Sequence, residues 1–289
     1  MKKLPLPAYD DAAAFVELSK NSRLNSFPDL LPVVNAIKAG YLSYVRAGGN
    51  PALVRIPEIS GRVGERIKAH YSSPCACLSH IDEMRELTAH NVCPMCGSFH
   101  SGTLDHYLPK GDYPAFSIFS ANLVPACMCN SKRGNILLGE GEGERVLHPY
   151  FDDFLAERLI VADFGCLGDV PRVDIRLAVD DQHPNYRAIR FHVDRLIRRT
   201  PILKYLRDRW ALMLRRPSLV VRGLKLNVGS CVELRSTISD ELEMLDDMHE
   251  SKNNWMSVFV AGLMEEEVVA WLFDALNNPD RCHDGPLLV

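Results

Sequence analysis

The sequence has no long apolar run and no large excess of one charge. A membrane-spanning helix needs about 18 or more apolar residues in succession, and no such stretch occurs in the 289 residues. The first eight residues, MKKLPLPA, lack the apolar segment of a secretory leader. We therefore expect a cytoplasmic protein that neither spans a membrane nor is secreted.

Two further protein classes are disfavoured by composition. Nine cysteines are an odd number that disulfides within one chain cannot use up, so metal ligation explains them better than a disulfide framework. The formal net charge of −4 argues against a protein whose whole surface is basic and binds nucleic acid. A chain of this length also buries enough apolar surface to fold without cross-links.

Hydrophobic patterning divides the chain into three regions. Residues 1–90 have helical periodicity, residues 91–138 combine Cys, Gly and Pro with short β-prone segments, and residues 139–289 are mixed but largely helical. In the third region the pattern predicts strands over 158–164 and 172–179 and a closing helix over 254–276. The predicted fold class is α+β, with mostly helical N- and C-terminal regions around a small central module.

The central region contains two close pairs of cysteines. A Cys-x-x-Cys turn at Cys93 and Cys96 lets two thiolates reach one Zn²⁺, and the pair Cys127 and Cys129 follows about thirty residues later to complete a tetrahedron. This spacing predicts a structural zinc site, whose binding free energy would fold a segment with little core of its own. The second pair is Cys-x-Cys, a less common spacing that leaves the fourth ligand open. The residues that can replace Cys129 are His100, Cys75 and Cys77.

Between and after the cysteine pairs lie an acidic residue, a histidine and two asparagines in a recognisable order. Asp105 and His106 fall between the pairs, Asn122 lies sixteen residues after His106, and Asn130 directly follows the last cysteine. Here the chain resembles the HNH endonuclease family, in its zinc-knuckle ββα-metal form and its HNN variant. The resemblance covers about 45 residues, from Val92 to Lys132 or slightly beyond, and leaves both flanking regions outside it.

The resemblance implies a catalytic role for each of these four residues. His106 would be the general base, Asp105 and Asn130 would ligate a catalytic Mg²⁺ or Mn²⁺, and Asn122 would pin the intervening loop and orient the base. The residue types suit this chemistry, because imidazole accepts a proton near neutral pH and both cations prefer oxygen ligands. Neighbouring strand residues point to opposite faces, so we expect a bulge that brings Asp105 and His106 to one site.

A basic stretch in the third region predicts contact with a polyanion. Between residues 184 and 225, twelve lysines and arginines accompany two aspartates, a local balance of +10 that leaves −14 for the remainder. Internal ion pairing, or a surface that docks a partner protein, would explain the same stretch. The residues predicted to contact nucleic acid are Lys110, Lys132, Arg133, Arg195, Arg198 and Arg199.

The sequence thus predicts a metal-dependent HNH endonuclease that hydrolyses phosphodiester bonds in DNA. Its context is expected to be bacterial anti-phage defence, with a regulatory partner protein. Two other functions are compatible with the same residues: a non-catalytic, zinc-stabilised nucleic-acid-binding module, and a scaffold subunit whose basic helices dock a partner. The sequence carries no signal of an oligomeric state.

Overall fold

The computed structural model describes residues 1–86, 92–99, 101–168, 171–225 and 228–287. Within these ranges no helix is long and apolar enough to cross a membrane. Helices predominate in the described chain, and its strands form two small antiparallel sheets. The predicted α+β class is therefore confirmed.

The N-terminal region is helical, as predicted, and its helices are capped by side chains. The Asp10 carboxylate accepts a hydrogen bond from the Ala13 N–H, and the Ser60 hydroxyl accepts one from the Val63 N–H, which satisfies donors that have no partner within the helix. The helices of this region are α1 (Asp11–Lys20), α2 (Val34–Arg46), α3 (Gly61–Ser72) and α4 (Ser79–Glu86).

The central region is a β-hairpin followed by one short helix. Strand β1 (Thr103–His106) pairs antiparallel with β2 (Leu123–Ala126), and α5 (Cys129–Arg133) begins shortly after the hairpin. Strand, strand and helix follow one another in the order that the family resemblance implies. The long connection between the two strands packs inward against α2 and α3, so the N-terminal helices border the hairpin.

In its described residues, the C-terminal region combines the second hairpin with five α-helices. Strands β3 (Ile160–Gly165) and β4 (Arg172–Leu177) fall close to the two predicted strands and pair antiparallel. The predicted helix over 254–276 is wrong, because the structure has two helices that are separated by Leu263–Glu265. The helices are α6 (Tyr186–Arg195), α7 (Ile202–Arg215), α8 (Cys231–His249), α9 (Trp255–Gly262) and α10 (Glu266–Leu276).

Buried apolar side chains from all three regions form one contiguous core. Phe15 and Tyr44 come from the N-terminal helices, Phe116 from the loop of the central hairpin, and Trp210 and Phe259 from the C-terminal helices. The boundaries near residues 90 and 138 stay a prediction, since the described residues share this core across both. Side chains from the flanking regions consequently reach the central module.

Candidate functional site

Four cysteines converge at one point of the central module. The sulfur atoms of Cys93, Cys96, Cys127 and Cys129 all lie within 4.8 Å of one another. The Cys93 and Cys129 sulfurs are 3.7 Å apart, and those of Cys96 and Cys127 are 3.5 Å apart. Zn–S bonds of about 2.3 Å in a tetrahedron separate the sulfurs by about 3.8 Å. The cluster therefore has the ligand number and the spacing of a structural zinc site.

The backbone around the cluster supports this arrangement. Gly97 adopts a positive φ of 81°, and its N–H donates to the Cys93 carbonyl over 2.8 Å. A Cβ atom at residue 97 would lie 2.1 Å from the carbonyl oxygen of Asn253, so only glycine fits this turn. Hydrogen bonding between the Cys127 and Cys129 thiols lowers the pKa of Cys127 and raises that of Cys129, because one sulfur keeps a proton that it shares with its neighbour.

The structure places Cys129 within the cluster and the alternative cysteines outside it. Cys75 and Cys77 form a separate pair, whose sulfur atoms are 2.9 Å apart, and neither belongs to the group of four. His100 lies outside the described residues. The Cys-x-Cys spacing is therefore compatible with a complete four-cysteine cluster.

His106 ends β1 and is buried, with only 5% of its surface exposed. Its Nε2 lies 2.9 Å from the carbonyl oxygen of Ser117, so Nε2 carries a proton and Nδ1 is the nitrogen that can accept one. The pKa of His106 is lowered to about 4, chiefly by burial and also by the Lys110 and Arg85 charges, while the hydrogen bond to the Ser117 carbonyl and the Asp105 charge raise it. The imidazole is accordingly neutral at pH 7, the state that a general base must have.

Asp105 lies next to His106 without the predicted bulge. Each residue of β1 has one partner on β2, from Thr103 opposite Ala126 to His106 opposite Leu123. The expectation of a bulge was wrong, because the strand ends at His106 and its chain can turn there without an inserted residue. The Asp105 Oδ1 accepts a hydrogen bond of 2.7 Å from the His106 N–H, which ties this carboxylate to the end of the strand.

Asn122 is fully buried and holds the loop between the two strands. Its side-chain oxygen accepts hydrogen bonds from the Leu108 N–H, at 2.8 Å, and the Tyr44 hydroxyl, at 3.0 Å. Its amide nitrogen donates to the carbonyl oxygens of Leu108 and Phe116, both at 3.1 Å. Phe116 directly precedes Ser117, the residue that accepts from His106. Asn122 therefore fixes the loop segment next to the Ser117 carbonyl that His106 contacts.

Asn130 and Arg133 project from α5 into the interior. Asn130 is 4% exposed, and neither polar atom of its side chain has a hydrogen-bond partner among the described residues. Arg133 is 3% exposed and donates to the Tyr107 carbonyl oxygen over 3.1 Å, while two of its nitrogens have no partner in the same part of the chain. A buried polar atom without a partner is costly, so Asn130 fits a ligand for a hard cation. The predicted contact of Arg133 with nucleic acid is not supported, since its side chain is buried.

Of the remaining basic residues, some are paired with groups of the protein and others are exposed to solvent. Arg198 forms an ion pair with Asp174, lies 3.2 Å from Asp194 and donates to the Ile175 carbonyl, so its charge is used internally. Arg195 lies over the Phe191 ring, 5.8 Å from its centroid. Lys132 and Arg199 are exposed, and the turn 197–199 lies beside α5. The structure thus leaves Lys132 and Arg199 accessible and places Arg198 among its own partners.

Two tyrosines that sequence reasoning missed contact the site from the N-terminal helices. The Tyr71 ring, on α3, packs edge-on against the His106 imidazole with 4.3 Å between ring centroids. The Tyr44 hydroxyl, on α2, donates to Asn122 and lies 3.0 Å from Nε2 of His148. His148 is completely buried and belongs to this hydrogen-bond network with Tyr44, which indicates a structural role. No local motif marks either tyrosine, because each reaches the site only through tertiary packing.

Comparison with known proteins adds one partial similarity. No family model matches the chain, and no solved structure matches it. Over 76 residues the chain is 37% identical to "Protein ea31" of Escherichia phage lambda. The match covers 25% of this chain and 26% of the phage protein, so the chain spans about a quarter of the length of the curated relative it matches.

Proposed function

We propose that the protein is a metal-dependent HNH endonuclease that hydrolyses phosphodiester bonds in DNA. The observation that carries this proposal is the buried side chain of Asn130, which has no hydrogen-bond partner in the part of the chain that the structure describes and lies on the helix after the Asp105–His106 hairpin. Cation-assisted hydrolysis needs an oxygen donor such as Asn130, a carboxylate and a neutral imidazole, and the three residue types follow one another within this hairpin and helix. The four-cysteine cluster, with a structural zinc bound, would hold α5 against the hairpin.

Each side chain has one task in the proposed reaction. Asp105 and Asn130 would hold a Mg²⁺ or Mn²⁺ ion, which when bound supplies positive charge to the scissile phosphate and the leaving oxygen. His106 accepts a proton from the attacking water at Nδ1, while its Nε2–H remains bonded to the Ser117 carbonyl. Asn122 keeps the Ser117 segment in place, so the imidazole does not rotate away from the water.

The substrate side of the proposal rests on the accessible cations. Lys110, Lys132, Arg195 and Arg199 would contact phosphates of the DNA backbone, since such contacts position a duplex without reading its sequence. We further propose that the nuclease is an effector in anti-phage defence and that a partner protein regulates it. The partial similarity to a phage protein supports a role in the interaction between phages and their bacterial hosts.

A plasmid-cleavage assay tests the proposed activity. Purified protein, loaded with zinc, is incubated with supercoiled plasmid in Mg²⁺ and separately in Mn²⁺. We expect cleavage by the natural protein and a rate at least about a hundredfold lower for His106→Ala, because loss of a general base costs about that much. His183→Ala is the matched control, since His183 lies after β4 and contacts Glu157 and Phe154.

The same assay separates the enzyme from the two other functions. DNA binding by the natural protein without cleavage in either metal would favour the zinc-stabilised binding module. Failure to bind DNA at low salt would favour the scaffold subunit, because phosphate contacts strengthen as salt falls. Equal cleavage by the natural protein and His106→Ala would refute the assigned base.

A further inference from the structure

Three side chains from different elements meet next to His106. Tyr71 comes from α3, Arg85 from α4, and Lys110 from the loop that follows β1. The Cζ atom of Arg85 and the Nζ atom of Lys110 each lie 4.8 Å from the centre of the Tyr71 ring. The Tyr71 ring in turn contacts His106. We call this group, Tyr71 with Arg85 and Lys110, the Tyr71 rim.

The Tyr71 rim is held in place by hydrogen bonds as well as by ring contacts. The Tyr71 hydroxyl donates to the Leu104 carbonyl oxygen in β1, which ties α3 to the strand that carries His106. Arg85 donates to the Tyr71 carbonyl oxygen over 2.6 Å and to Asp82 over 2.8 Å. These bonds fix the direction of the ring and of one cation before any ligand arrives, which reduces the entropy cost of binding.

The charge and exposure of the rim suit an anion. Arg85 keeps 33% of its side-chain surface exposed, so a ligand can reach it beside its ion pair with Asp82. Lys110 is partly exposed and forms no ion pair with any residue in the described ranges. Two cations that are partly shielded by an aromatic ring attract an anion more strongly than two fully hydrated lysines would. Because both terminal nitrogens of Arg85 already donate to Asp82 and Tyr71, Arg85 would act on a phosphate mainly through its charge.

We propose that the Tyr71 rim binds a phosphate of the cleaved DNA strand, next to the scissile phosphate on the side of the N-terminal helices. This inference rests on the proposed function, because it takes His106 as the position of the scissile bond. Phosphates are regularly spaced along a DNA strand. A strand whose scissile phosphate lies at His106 therefore brings a neighbouring phosphate toward Arg85 and Lys110, on the far side of the Tyr71 ring. The N-terminal helices would thereby form part of the nuclease site.

Binding measurements with an inactive protein test the rim separately from cleavage. In a His106→Ala background, fluorescence anisotropy with a labelled DNA duplex gives the dissociation constant over a series of salt concentrations. We expect Arg85→Gln and Lys110→Gln each to weaken binding by up to about tenfold and to reduce the salt slope by about one, the signature of one lost phosphate contact. Arg62→Gln removes one charge from α3 at a salt-bridged, exposed position and is the matched control.

Tyrosine variants test whether the ring itself contributes. Tyr71→Phe keeps the ring beside both cations, and we expect it to bind DNA nearly as well as the parent. Tyr71→Leu removes the ring, and we expect affinity to fall about as far as in Arg85→Gln. With His106 intact, the rim variants are expected to raise KM for plasmid and to leave kcat within about twofold, since the contact is made equally in ground and transition states.

The outcomes distinguish failure of the rim from failure of the proposed function. If the rim variants match Arg62→Gln in affinity and salt slope while the natural protein cleaves plasmid, the rim is refuted and the nuclease stands. If the natural protein binds DNA through the rim but never cleaves, the rim is supported and the nuclease fails. If the natural protein neither binds nor cleaves DNA, both are refuted.

Discussion

The cysteine cluster and the Asp105–Asn130 set belong to the same central module but differ in how their polar atoms are satisfied. The four sulfurs contact one another at 3.5–3.7 Å in pairs, with backbone N–H groups of Cys127 and Cys129 donating to them. Both polar atoms of the Asn130 side chain, by contrast, have no hydrogen-bond partner within the described ranges. The cluster is therefore satisfied within the fold, whereas Asn130 retains polar atoms that the proposed cation site would use.

The largest effect should come from breaking the cluster. A structural zinc supplies on the order of 10 kcal/mol to folding, which is comparable to the whole stability of a domain. We expect Cys93→Ser to lose bound zinc and to lower the melting temperature by at least about 10 °C, in metal analysis and thermal unfolding followed by circular dichroism. Cys231→Ser, at an exposed thiol, should leave both unchanged. Equal melting of the two variants would contradict a metal-bound cluster.

Asn130 should show the opposite pattern, with activity lost and stability kept. Removing a buried side chain that forms no hydrogen bond breaks none, so we expect Asn130→Ala to change the free energy of unfolding by less than about 1 kcal/mol. Plasmid cleavage should fall about a hundredfold, because a ligand to the proposed cation is gone. Urea unfolding and the cleavage assay measure the two quantities.

Asn122 provides the contrast for that experiment. Its four hydrogen bonds are buried, so Asn122→Ala should lower the free energy of unfolding by about 2–4 kcal/mol as well as reducing cleavage. A result in which Asn130→Ala is fully active, or in which it unfolds as easily as Asn122→Ala, would remove the distinction between the two sets of residues.

The smallest expected effect concerns the basic stretch, where it tests the same distinction between polar groups that are paired within the protein and groups that are free to bind a ligand. Arg199 is exposed, whereas Arg198 is paired with Asp174 and Asp194. We expect Arg199→Gln to weaken DNA binding about threefold with stability unchanged. Arg198→Gln should leave binding unchanged and cost at most about 1 kcal/mol of stability, since the pair is partly exposed. If Arg198→Gln weakened DNA binding in anisotropy while Arg199→Gln lowered stability in urea unfolding, ion pairing would not predict which arginines contact DNA.

Much of the central module could be predicted because its signals are local. Cys93 and Cys96 lie in one tight turn, and Cys127 and Cys129 at the end of one hairpin, so short-range spacing is enough to bring four thiolates together. The alternation over residues 172–179 likewise predicted β4, which ends at Leu177 in the structure. The helix boundaries in 254–276 were less predictable, because they depend on packing against a distant strand. Gly262 lies against β3, and a Cβ at residue 262 would be 2.4 Å from the carbonyl oxygen of Ala162.

The surroundings of the site could not be predicted from the same signals. Tyr71 and Tyr44 precede the hairpin by many residues in unrelated helical patterns, and nothing in those patterns tells which tyrosine will contact His106 or Asn122. Burial of Arg133 and pairing of Arg198 also depend on distant partners. A positive side chain has the same sequence signature whether it faces solvent or an aspartate.

The sequence by itself determined the residue types and their order: two cysteine pairs, an Asp-His pair, and two asparagines placed within one short segment. Ligand chemistry and short-range turns are encoded locally, so these features follow from spacing alone. Only the tertiary structure decided which polar atoms remain without a partner, which arginines are accessible, and which N-terminal side chains border His106. Those properties depend on burial and on contacts between distant segments, which exist only once the chain has packed around its single core.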